Sequence, residues 1–127
     1  EIDQMLRKFT KKKFQFSFTP HLSPMFKGIL TTIYVDLEKN ITPTKVLKTL
    51  NSFYKNESFV TILKSDSLLS TNDVINTNNC YISVCKSKYS NKIIILSAID
   101  NLIKGGAGQA VQNLNNKFNF PETTGLK

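Results

Sequence analysis

Residues 93–116 read IIILSAIDNLIKGGAGQAVQNLNN, an apolar run that stops at Asp100-Asn101, passes a glycine cluster and resumes at helical spacing. The unbroken apolarity and β-branched content of Ile93–Ile99 predict a strand covered on both faces. Beyond Lys104, the backbone at Gly105, Gly106 and Gly108 carries no side chains, and Ala107, Ala110, Val111 and Leu114 recur at intervals of three and four. That pattern predicts an amphipathic helix. The first amides of a helix lack intrahelical partners and carry the positive end of its dipole, and missing β-carbons let a polar ligand come close. The same glycines would equally serve close packing of strand against helix.

Working outward, residues 80–86 and 92–99 are strand-like runs separated by a short polar connection, which predicts a β-hairpin. Pro121 stops the final helix ahead of the tail PETTGLK. Upstream, Phe59–Leu63 predicts a further strand. Residues 65–79 are polar and poorly periodic, hence a long loop with a brief strand at Val74 and Ile75. Thr42 is a helix cap with Pro43 in the first helical position, and Val46, Leu47, Leu50, Phe53 and Tyr54 mark a buried stripe running to about Asn56. Ile29–Leu37 is strand-forming by its β-branched content. Lys13–Thr19 alternates Phe14, Phe16 and Phe18 with polar residues, as a half-buried strand pairing with Ile29–Leu37 would, its phenylalanines in the core. Glu1–Phe9 carries Ile2, Met5, Leu6 and Phe9 on one helical face without a capping residue ahead of it, as if the segment began further upstream. The expected fold class is α+β, a mainly antiparallel sheet of about five or more strands with helices on one face.

Composition narrows the function classes. The 127 residues suffice for one modest core, and 40% hydrophobic content is ordinary for a soluble protein. The longest apolar run is too short to span a bilayer and no signal-peptide architecture is present, which predicts a cytoplasmic protein without a membrane partner. Seventeen basic against nine acidic residues give a net charge of +8, but with a single cluster at Lys8 and Lys11–Lys13, one Arg and no Trp. Without interleaved aromatic and basic residues, nucleic acid is not the expected partner. Cys80 and Cys85 lie five apart on one predicted strand, on opposite faces, and read as reduced core thiols. One His and two such Cys make no zinc site. No nucleophile elbow or P-loop is present, and the glycine spacing lacks the acidic ribose partner of a complete dinucleotide site.

The motif DNLIKGGAGQAVQN, residues 100–113, closely resembles the carboxyl-terminal signature of the N-acetyl-gamma-glutamyl-phosphate reductases, in which Ala usually stands at Gly106. Four more motifs follow the order of that family. They are Glu1-Ile2-Asp3-Gln4, Pro20-His21-Leu22-Ser23-Pro24-Met25 leading to Lys27-Gly28-Ile29, Asn78-Asn79-Cys80-Tyr81-Ile82, and Glu122-Thr123-Thr124-Gly125-Leu126. The resemblance spans nearly the whole chain and only the carboxyl-terminal part of such an enzyme. It implies a substrate-binding and oligomerisation domain over residues 1–100, with the turn and final helix of residues 101–127 packing against a Rossmann cofactor domain. It further implies NADP as cofactor, an acyl-phosphate substrate and a homodimer or homotetramer. The nucleophilic Cys and acid/base His are implied upstream of Glu1, so this fragment alone is expected to be inactive. His21 and Lys27 are implied in substrate binding, Lys27 replacing the family's usual Arg and losing its bidentate fork. Asn101, Gly105, Gly106 and Gln109 are implied near the nicotinamide. Gln112 is expected to be exposed helix surface. Residues 65–79 would fit a subunit contact or pocket rim. The alternatives are an aspartate-semialdehyde dehydrogenase-like enzyme, which shares a similar Asp-Asn turn, and a non-catalytic oligomerisation module.

Overall fold

A computed structural model describes residues 2–10, 14–89 and 91–127. Its centre is a mixed four-stranded sheet in the order β1-β4-β3-β2. The strands are β1 (Ile29–Asp36), β2 (Val60–Ile62), β3 (Cys80–Lys86) and β4 (Lys92–Ile99). Helix α1 (Ile2–Phe9) precedes the sheet, α2 (Pro43–Phe53) connects β1 to β2, and α3 (Gly108–Lys117) follows β4 through a π-helical turn, Ile103–Ala107.

The run Ile93–Ile99 becomes most of the inner strand β4, antiparallel to β1 from Ile29↔Ile99 to Asp36↔Lys92 and antiparallel to β3. β2 pairs with β3 in parallel, so the sheet is mixed, where a mainly antiparallel one was expected. Helix α2 begins as the sequence predicts: Thr42 Oγ1 accepts from the Lys45 amide at 3.2 Å, and Pro43 occupies the first turn.

The expectation of five or more strands fails at Lys13–Thr19. Lys13 lies outside the described residues. From Phe14 to Thr19 the chain joins no ladder, and β1 pairs with β4 instead. Its phenylalanines are not core. Phe16 is 43% and Phe18 64% exposed, while Phe14 stacks obliquely on Phe16 and lies 5.7 Å from the Arg7 guanidinium. Alternation buries a face only where a partner strand and a covering layer exist; among the described residues no strand pairs with this segment, and its contact with α1 leaves Phe16 and Phe18 exposed.

Part of the sheet is covered by an irregular segment. Tyr81, Leu96 and Ala98 share a sheet face by their register, and they pack with Leu63, Leu69 and Val74 in one apolar cluster. The segment 64–79 is held there by directional bonds. The Asp66 amide donates to Val84 O, the Lys86 amide donates to Asp66 Oδ1, and Ser83 Oγ donates to Ser67 O at 2.8 Å. In place of the brief strand expected at Val74 and Ile75 there is a 3₁₀ turn, Thr71–Asp73, closed by a reciprocal capping box between Ser70 and Asp73. Cys80 and Cys85 are free, half-buried thiols, as expected.

Gly28 fits Thr71 against the start of β1. Its φ is +109°, and a β-carbon there would lie 2.7 Å from Thr71 Cβ. Gly125 also has positive φ, +72°, but faces open space. Gly28→Ala should therefore destabilise the polypeptide by about 3 kcal/mol, backbone and steric costs together. Gly125→Ala should cost about 1 kcal/mol from the backbone alone. Urea unfolding midpoints of the two variants measure the difference.

Candidate functional site

At the end of β4, Asp100 is fully buried and collects donors from three parts of the chain. Its Oδ1 accepts from the amides of Leu102 (2.8 Å) and Ile103 (3.1 Å), and its Oδ2 from the amide of Asn76 (2.8 Å). Lys27 Nζ lies 3.6 Å from Oδ2 with its side chain only 16% exposed, and it also donates to Asn76 Oδ1. Burial opposes ionisation of Asp100. The three amide bonds and the Lys27 charge outweigh it and hold the carboxyl below the ordinary aspartate value.

Next to it, Asn101 Oδ1 accepts the Gly28 amide at 2.6 Å. The Asp100-Asn101 pair thus ties the Lys27-Gly28 segment to the turn that leads into α3. Of the six residues singled out from the sequence, Lys27 and Asn101 come together here, with Gly105 close behind: its amide donates to Asp100 O at 3.1 Å. His21 does not join them. It is exposed, its Nδ1 3.1 Å from Thr19 O. Gln109 is half-buried and donates to Asn113 Oδ1 on its own helix.

The glycines of the turn divide into two kinds. A β-carbon on Gly108 would lie 2.4 Å from Asn78 Oδ1 and 2.6 Å from Ile103 Cγ2, so packing within the chain demands glycine there. On Gly105 and Gly106 it would meet nothing closer than 3.6 Å. Both are exposed, and the helical path breaks at Gly106 (φ −147°, ψ −106°). No atom of the described residues crowds either position.

Helix α3 inverts the sequence expectation. Its buried positions are Gly108, Gln112 and Asn115, whereas Ala107, Ala110, Val111 and Leu114 face outward. Gln112, expected on the surface, is 8% exposed. Its Oε1 accepts from Asn78 Nδ2 (2.8 Å) and Lys104 Nζ (2.7 Å), and its Nε2 donates to Glu122 Oε1 (2.6 Å). Asn115 Nδ2 donates to the carbonyls of Glu122 and Thr124, and Lys104 Nζ lies 5.5 Å from the ring centroid of buried Phe59. Asn78 Oδ1, pressed against Gly108, has no hydrogen-bond partner among the described residues. Periodicity concealed this seat, because amides count as surface in any hydrophobic pattern. A sequence signal existed only in the recurrence of Asn and Gln on one helical face, at 112 and 115.

No three His, Cys, Asp or Glu among the described residues are grouped to hold a metal, and no helix among them is long and apolar enough to cross a membrane. Residues 1–101 match the family model for the semialdehyde dehydrogenase dimerisation domain, and the chain belongs to that family. It is similar to the proteins named N-acetyl-gamma-glutamyl-phosphate reductase from Thermoanaerobacter pseudethanolicus (44% identical) and Desulforamulus reducens (46% identical), each over 99% of this chain. A third, from Vesicomyosocius okutanii subsp. Calyptogena okutanii, is 46% identical over the whole chain. The chain spans little more than a third, 36–37%, of the length of these relatives.

Breaking the Asp100 centre should be costly. Asp100→Asn exchanges a carboxylate that collects four donors for an amide carrying its own protons, and should lower stability at neutral pH by about 3 kcal/mol. Because the folded-state pKa is depressed, the carboxylate's contribution is complete above the ordinary value of 3.8 and is lost as pH falls through the folded value. The gap between parent and variant in urea midpoint should therefore hold from pH 7 to about 5 and shrink below about 4.

Proposed function

We propose that this chain is the carboxyl-terminal part of an NADPH-dependent reductase that converts N-acetyl-glutamyl 5-phosphate to N-acetyl-glutamate 5-semialdehyde in arginine biosynthesis, acting in the cytoplasm as a homodimer or homotetramer. The names and identities of the relatives support the substrate. The observation that carries the reading is the open turn at Gly105 and Gly106, bare of side chains without any need from the described residues, and tied through Asp100 and Asn101 to Lys27.

In this reading residues 1–100 form the substrate-binding and oligomerisation domain, and residues 101–127 pack against a cofactor domain elsewhere in the longer polypeptide. The outward stripe on α3 supports that division. Val111, Leu114 and Phe118, 39%, 50% and 64% exposed, form an apolar face suited to an inter-domain contact. The nucleophilic Cys and the acid/base His are assigned to that other part of the polypeptide. Cys80 and Cys85 sit mid-sheet, against the hydroxyls of Ser97 and Ser83 and the Ser67 carbonyl, with no base in contact among the described residues.

Gly105 and Gly106 fit a dinucleotide, since open backbone lets a flat polar group approach closely. When bound there, NADPH would supply the hydride. Asn101, its Oδ1 engaged by Gly28, keeps Nδ2 for a carbonyl oxygen of the nicotinamide side, and Gln109 stands one turn further along. Lys27 presents positive charge to the substrate's carboxylate or phosphate while Asp100 fixes its place.

In the complete enzyme, Lys27→Met should raise KM for the acyl phosphate about tenfold or more and leave KM for NADPH within about twofold, the loss expected for one charge-assisted bond. Unchanged substrate kinetics would remove Lys27 from the site. The isolated 127-residue chain should show no NADPH oxidation with the acyl phosphate, and turnover by it would refute the placement of the nucleophile.

A further inference from the structure

We propose that Gln112 is a positioning residue for dinucleotide binding: its side-chain amide fixes Lys104, and through Lys104 the Gly105–Gly106 turn. This inference rests on the proposed reductase function and extends it to a residue that faces away from the turn's open side.

The case begins with the chemistry of the carboxamide. It presents an acceptor and a donor on one carbon, and here both are used. Oε1 receives Lys104 Nζ from the turn and Asn78 Nδ2 from the loop preceding β3, while Nε2 reaches Glu122 in the tail. Three segments distant in sequence converge on one buried group, 8% exposed. Lys104 adjoins Gly105 directly, so the direction of its side chain constrains the backbone entering the turn. Its ammonium has two anchors, Gln112 Oε1 at 2.7 Å and the face of Phe59 at 5.5 Å. Of these the amide is the directional one, because a cation over a ring face slides at little cost whereas a hydrogen bond does not.

The turn is closed by its own backbone, the Ala107 amide donating to Leu102 O at 2.9 Å and the Gly108 amide to Ile103 O, and the Lys104 side chain adds the tie to α3. A β-carbon on Gly106 would have only Asn101 O within 4 Å, and the inner side is held by Asp100. The Asp100 centre thus sets where the turn starts, and Gln112, through Lys104, ties the turn to α3. A dinucleotide lying against the open backbone of this turn is sensitive to displacement of that backbone by a fraction of an ångström.

The charged groups around Gln112 supply the test. Gln112→Glu places a second carboxylate against Glu122 Oε1, where the native contact is 2.6 Å, while leaving Lys104 its acceptor. Adding Glu122→Gln restores a complementary set: the carboxylate introduced at position 112 then accepts from Lys104, Asn78 and the new amide at position 122. In the full-length enzyme, Gln112→Glu should weaken NADPH binding about tenfold, read as the dissociation constant from nucleotide fluorescence without substrate. KM for the acyl phosphate should stay within about twofold. The double variant should recover binding to within about threefold of the parent.

The inference is overturned if Gln112→Glu lowers the melting temperature while the NADPH dissociation constant stays at the parental value. It is equally overturned if the double variant regains stability but not affinity. Should the unsubstituted enzyme bind no NADPH at all, the reductase reading itself fails, and the two failures are told apart by that control.

Discussion

The structure is organised by one carboxylate placed where a central strand ends. Asp100 has no solvent to ionise into, and it stays charged because three amides and an ammonium are aimed at it. Each such bond is stronger than a neutral one, yet the cost of desolvating the ion cancels much of the gain. What survives the cancellation is geometry. The donors come from the segments at Lys27, Asn76 and Leu102-Ile103, so three parts of the chain can be in place only together. The adjoining bond from Gly28 to Asn101 adds the start of β1 to the same knot.

Around that knot the glycines separate into crowded and open positions. Gly28 and Gly108 are required by atoms of the chain itself, by Thr71 in one case and by Asn78 and Ile103 in the other. Gly105 and Gly106 are crowded by no atom of the described residues. A sequence shows all four alike, and only the surrounding atoms tell which glycine accommodates a neighbour and which leaves a surface open.

Legibility in the sequence followed the same division. Strand β4, helix α2 with its Thr42 cap and the hairpin from β3 to β4 could be read because their signals are local: β-branched runs, a capping residue, a turn. The motif at residues 100–113 and four companions carried the family, since identity and spacing survive where packing cannot be inferred. Phe14, Phe16 and Phe18 misled, because alternation states that one side is apolar and says nothing about whether a layer exists to cover it. The polar segment 64–79 misled in the opposite sense. Its Leu69 and Val74 enter the core through hydrogen bonds to β3 that no periodicity announces. In the site, the bonds from Asp100 to Leu102 and Ile103 are local, as an Asp opening a turn makes them, but its partners Asn76 and Lys27 stand far back in the chain and left no local trace.

Helix α3 is seated on amides. Gln112 and Asn115 hold it by directed bonds, while its apolar stripe faces away from the sheet. Releasing such a helix would wet polar atoms instead of hydrocarbon, and polar hydration lowers the heat capacity where apolar hydration raises it. Opening of this end of the molecule would thus leave the curvature of a calorimetric trace nearly unaltered, and the helix's grip on its neighbouring loop and tail, unlike an oily one, would not slacken in the cold.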